Sequence, residues 1–202
     1  MPDTVRVFGP APLKQMTDYS LRAHQATIDL WVRDFKVKPL VPPVVKEVST
    51  AGMTAEDEHV KVTAAIVKHP PMQPALAYRF DFHDRSVVFS GDTAPTEAVA
   101  KLARGADILV HEAMYVPALE AFLHDRIAQG TPVRFGDFVA HMKTVHSPVE
   151  EVGRIAQESG VRTLVLSHLT PSIETIPEET WRRAAAQQFK GEIVVARDSM
   201  VL

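Results

Sequence analysis

Three side chains able to hold a metal ion follow apolar runs that lie far apart in the chain. His69 comes after Val60–Ile66, Asp92 after Ser86–Ser90, and His168 after Thr163–Leu166. A fourth run, Ile108–Val110, ends at His111-Glu112, and His146-Ser147 precedes a helix-forming segment. Neutral imidazoles and carboxylates around an open coordination position are what a metal needs in order to activate water. The chain has no cysteine, so any metal must be held by His, Asp or Glu, and disulfides are excluded. Taken singly, a histidine at a strand end is more often structural or solvent-facing than a ligand. The convergence of several at strand ends is the signal, because sheets of this kind gather polar groups there from distant sequence.

The elements that must position these groups follow from periodicity. Val5 and Val7 alternate with polar residues before the turn Gly9-Pro10. Leu13, Met16, Leu21, Ile28, Trp31 and Val32 recur at helical spacing and predict one helix from about Pro12 to Phe35, broken by the Pro39–Pro43 run. Val60, Val62, Ala64 and Ile66 alternate into a strand that delivers His69. Leu76–Phe82 and Ser86–Ser90 read as adjacent strands around the turn His83-Asp84-Arg85. A helix over about Thr96–Arg104 stops at Gly105, and a mixed, partly helical segment runs from Met114 to Phe138. Helix Pro148–Ser159, strand Thr163–Leu166, a helix around Glu178–Phe189 and strand Ile193–Ala196 complete the pattern. Strands alternating with helices make the class α/β, and 202 residues are enough for one domain over 1–202.

Composition excludes rather than identifies. A hydrophobic content of 46% with 23% charged residues is that of a globular protein. The net charge of −3 gives no clear nucleic-acid footprint, although an average leaves room for a local basic patch. No stretch is apolar enough to cross a membrane, and Met1–Pro10 has no basic-then-apolar leader, so a cytoplasmic location is expected.

The words around these residues resemble the metallo-β-lactamase superfamily, in the branch that contains ribonuclease Z and arylsulfatase-like hydrolases. They are VKHPPMQPALAYRFDF with His69, VVFSGDT with Asp92, ADILVHEAMY with His111 and Glu112, and VHSPVEEVGRIAQESGVRTLVLSHLTP with His146 and His168. The resemblance implies an αββα sandwich with two zinc ions, His69 ligating one, His168 the other, and Asp92 bridging them. It also implies that His146 is a proton donor near the leaving group, oriented by Glu112 as catalytic partner. The residues alone leave a second reading open, in which His146 merely begins a helix capped by Ser147. Thr93 and His111 are supporting positions: Thr93 holds Asp92 in place, and His111 packs or hydrogen-bonds internally. His24, His59, His83, His124 and His141 read as surface or turn residues.

The chain departs from the family in one respect. No two of its nine histidines stand in His-x-His spacing, so the motif HxHxDH is absent. It reads as the C-terminal two-thirds of the family domain, a sandwich incomplete at its N-terminal side. The expectations are therefore weak or partial zinc occupancy, and uncovered apolar faces that favour a homo-oligomer. The function implied is hydrolysis of an ester-type small molecule, a phosphate, sulfate or related ester, by metal-activated water. Only two short strands and a turn separate His69 from Asp92, where ribonuclease Z carries its tRNA-gripping arm. A non-catalytic binding or assembly module that keeps the scaffold is the alternative.

Overall fold

Continuous apolar triplets such as Ile108-Leu109-Val110, Leu164-Val165-Leu166 and Ile193-Val194-Val195 suit strands covered on both faces, as parallel strands usually are. That is where they stand in the computed structural model, which describes residues 4–132, 134–171 and 176–201. The chain divides into two compact units, Met1–Ser49 and Thr50–Leu202.

In the first unit, β1 (Arg6–Gly9) pairs in parallel with β2 (Val44–Glu47), and two helices connect them, α1 (Leu13–Ala23) and α2 (Gln25–Phe35). The single helix expected over Pro12–Phe35 is thus two. The break is at His24, whose ring Nδ1 lies 2.8 Å from the Ser20 carbonyl oxygen. No Gly or Pro marks this break, which is why periodicity runs through it.

The second unit is built on a sheet ordered β3-β4-β5-β6-β7-β8-β9. Its strands are β3 (Gly52–Glu56), β4 (Val60–His69), β5 (Met72–Phe82), β6 (Ser86–Phe89), β7 (Ile108–Met114), β8 (Thr163–Thr170) and β9 (Glu192–Val195). Pairing is antiparallel from β3 to β6 and parallel from β6 to β9. The two short edge strands β2 and β3 are absent from the sequence reading, since their apolar residues are too few to show a period.

Helices α3 (Glu97–Ala103), α6 (Val149–Ser159) and α7 (Glu178–Ala185) cover one face of this sheet. The main core forms there, from Val67, Ala77, Val88, Leu109, Leu164 and Ile193 on the strands and Val99, Val152, Ile155 and Trp181 on the helices. α6 buries Val149, Val152, Ile155 and Ala156, one helical stripe, and ends at Gly160 in the left-handed conformation. Thr96 caps α3, its hydroxyl accepting from the Ala98 amide. Between β7 and α6 stand α4 (Val116–Ala128) and α5 (Phe135–Val145), which share a small separate cluster of Met114, Leu119, Leu123 and Val139.

Gly153 is where α6 meets α7: a Cβ there would lie 2.3 Å from the Ala185 carbonyl oxygen. Gly153→Ala must push the helices apart. We expect a loss of about 1–3 kcal/mol, the usual range for overpacking, read as a lower urea midpoint with an unchanged slope.

Candidate active site

Glu112 is 2% exposed, in the C-terminal half of β7, and its Oε1 accepts three hydrogen bonds. The donors are the Thr93 amide at 3.0 Å, the Ser147 amide at 3.3 Å and His146 Nδ1 at 3.1 Å. One oxygen therefore ties the loop after β6, which carries Asp92, to the turn between α5 and α6, which carries His146. The Thr93 hydroxyl extends the tie to β4: it accepts from the Lys68 amide at 3.1 Å, next to His69, and donates to the Ala94 carbonyl at 2.7 Å. The Ser147 hydroxyl closes the loop by donating to the Thr93 carbonyl at 2.7 Å. The Glu112 amide in turn donates to Ser90 Oγ at 3.1 Å. The other carboxylate oxygen, Oε2, is buried and has no partner among the described residues.

The local sequence fixes where His146 stands. Pro148 disfavours helical geometry at Ser147, so α5 stops at Val145 and His146 is extended at its C-cap. His146 does not begin a helix, and Ser147 does not cap one: its hydroxyl is spent on Thr93. The hydrogen bond to Glu112 holds the His146 pKa above its ordinary value against the opposing pull of burial, and the charges of Glu112 and Asp92 add to the rise.

His168 is aimed by a strand irregularity. Glu112 pairs with Ser167 and Ala113 with Leu169, so His168 is an extra residue in β8, with a positive φ of 43°. Its Nε2 lies 3.5 Å from Asp92 Oδ2. The His69, His146 and His168 rings form a row, with centroids 5.5 Å apart for the first pair and 5.8 Å for the second. His69 ends β4 next to a register shift between Val67 and His69. Gly91 has a φ of +60°, and a Cβ there would meet the Leu76 carbonyl oxygen at 2.7 Å, so the turn before Asp92 requires glycine.

The structure thus brings His69, Asp92, Glu112, His146 and His168 to one end of the sheet, with Thr93 between them. His111 is elsewhere. It alternates with Glu112 along β7, is fully buried, and places its Nδ1 2.6 Å from the Glu112 carbonyl oxygen; burial lowers its pKa. His111, Glu112 and His168 lie inside strands, not beyond their ends as the apolar runs suggest. Ser90, Ser147 and the Lys68 amide are the participants that sequence reasoning missed. Ser90 and Ser147 sit in the words FSGDT and VHSP, but nothing in a serine's spacing shows which carbonyl it will meet.

The donors present do not make a complete metal centre. Among the described residues, no group of three or more His, Cys, Asp or Glu is arranged to hold an ion. His168 and Asp92 face each other at ion-pair distance, and both are about half exposed.

The Beta-lactamase superfamily domain matches residues 11–169. The chain belongs to this superfamily. It is 30% identical over 197 residues to a Mycobacterium tuberculosis (strain ATCC 25177 / H37Ra) protein named ribonuclease Z, covering 98% of this chain and 68% of the relative. A ribonuclease Z of Mycolicibacterium gilvum is 29% identical, with 95% and 63% covered. Among solved structures, the metallo-β-lactamase fold protein YhfI from Bacillus subtilis superposes with a TM-score of 0.62 at 18% identity, over 99% of this chain and 65% of that one. Human tRNase Z, short form, gives 0.60 at 18% identity, over 98% and 66%. The fold is therefore the α/β metallo-β-lactamase type, and the superfamily is one of metal-dependent hydrolases.

The net charge suggested no nucleic-acid footprint and a small-molecule substrate, yet the relatives carry the name of a ribonuclease. The average misleads because charge is unevenly spread: residues 1–49 hold seven Lys and Arg against five Asp and Glu, while the remainder holds fifteen against twenty.

The Glu112–His146 bond sets a pH signature. Protonated His146 is favoured in the folded chain, so its stabilisation is complete below the unfolded histidine pKa of about 6.5 and fades as pH rises through the higher folded value. Glu112→Gln should lower the His146 titration midpoint, followed by NMR of the ring protons. An unchanged midpoint would mean that Glu112 does not set it.

Proposed function

We propose that this chain acts in phosphodiester hydrolysis on RNA, with His146 protonating the leaving oxygen and Glu112 holding the imidazole for that task. The supporting observation is the bond from His146 Nδ1 to the buried Glu112 at 3.1 Å, which occupies one ring nitrogen and leaves Nε2 to act. Water adds to phosphorus and releases one proton to solvent, the bond to the leaving oxygen breaks, and that oxygen takes its proton from Nε2, which solvent then reprotonates. The names of the relatives support RNA as the substrate.

In the same proposal His69, Asp92 and His168 are metal-contacting residues, with zinc as the ion. Three donors shared between two ions are fewer than zinc's usual four each. The purified chain, loaded with zinc and desalted, should keep less than one equivalent by elemental analysis. Two retained equivalents would overturn this.

A second reading, a binding module without turnover, is favoured by the lack of a three-donor cluster among the described residues. The assay that separates the two uses bis-p-nitrophenyl phosphate and a labelled RNA oligonucleotide in excess zinc. Turnover that falls by about 10²–10⁴ in His146→Ala, with RNA affinity unchanged, supports hydrolysis. RNA binding without turnover in the unaltered chain supports the module instead.

A further inference from the structure

In the first unit, α2 turns two faces in different directions. Ile28 and Val32 are half-buried and line a small groove with Leu21 and Leu40. Trp31 and Phe35, one helical turn apart, stay outside at 52% and 62% exposure. Their rings are already stacked, with centroids 4.5 Å apart and planes 24° from parallel. Lys36 ends the helix in the left-handed conformation, and Lys38 follows two residues later. Neither lysine has an ion-pair partner among the described residues, nor does Arg22 at the end of α1. The unit as a whole carries a positive excess that the rest of the chain lacks.

We infer that the Trp31–Phe35 stack, with Lys36 and Lys38 beside it, is a platform for single-stranded RNA. Unpaired bases stack on exposed aromatic faces with little regard to sequence, and adjacent cations follow the phosphates. A core role would bury these rings, whereas here they stand exposed side by side as one contiguous aromatic patch. Uncompensated lysines next to the stack select a polyanion over an apolar protein surface. A duplex hides its base faces, so single strands are the form recognised. The inference rests on the RNA reading proposed above, but it concerns grip rather than chemistry.

Tryptophan emission tests this directly. The chain has two tryptophans, and Trp181 is 2% exposed, so quenching by a bound base reports on Trp31. Titrating the full chain with a single-stranded oligouridylate should quench emission and raise the anisotropy of the labelled oligonucleotide. Trp31→Ala and Phe35→Ala should each weaken binding about tenfold, and a duplex RNA of equal length should compete poorly. Replacing both lysines, Lys36→Gln with Lys38→Gln, should reduce the salt dependence of log affinity by about 1.4. Hydrolysis of bis-p-nitrophenyl phosphate should be unchanged in all three variants. Absent hydrolysis in the unaltered chain would count against the proposed chemistry and leave the platform standing. Unchanged RNA affinity in Trp31→Ala and Phe35→Ala would overturn the platform. Trp31 emission that responds to protein concentration and not to RNA would also overturn it, and would assign the stack to a protein contact.

Discussion

A single carboxylate oxygen organises this site. Glu112 Oε1 collects a donor from the Asp92 loop, one from the amide of Ser147 and one from the His146 ring, all within 3.3 Å. These donors come from two segments far apart in sequence, the loop after β6 and the His146-Ser147 turn, and each would otherwise be a loop with its own freedom. Charge-assisted bonds in a water-poor setting are stronger than their exposed counterparts, and a shared acceptor couples them. The loops therefore hold together or not at all. Ser147 and Thr93 add a second closure, hydroxyl to carbonyl, so that the Asp92 loop is clamped from both sides.

That clamp depends on the sheet beneath it. β6, β7 and β8 run parallel, so their C-terminal ends arrive at the same edge and present Asp92, Glu112 and His168 together. A regular ladder would point Ser167 and His168 to opposite faces. The irregularity opposite Glu112 and Ala113 leaves His168 unpaired and turns its ring toward Asp92. A positive φ at a histidine is a conformation that most residues avoid, and here it coincides with the residue whose direction matters most. Gly91 plays the matching part on the other side, where any Cβ would strike the β5 backbone.

Much of this was legible in sequence, for reasons that differ from residue to residue. The parallel strands are short apolar runs that suit little else, and each carries its polar residue near its end. The Pro after Ser147 and the Gly before Asp92 mark the turns by their backbone restrictions alone. The FSGDT and VHSP words pointed to Asp92 and His146 by resemblance. What stayed hidden are contacts set by tertiary placement: the Ser147 hydroxyl reaching Thr93, Ser90 reaching the Glu112 amide, and the break at His24. The net charge misled because it sums two units of opposite sign.

The two halves of the site differ in rigidity, and that difference bears on its chemistry. Glu112, Thr93 and Ser147 are almost wholly buried, so the His146 ring is held by groups that water cannot replace. Asp92 and His168 are about half exposed and rest on each other. An exposed ion pair contributes little and can open without disturbing the fold. The His146 side is thus built in advance, while the Asp92–His168 side is free to exchange its contact for a ligand. A phosphate or a cation arriving at Asp92 and His168 displaces only that weak contact, and the groups that must not move are the ones the core already holds.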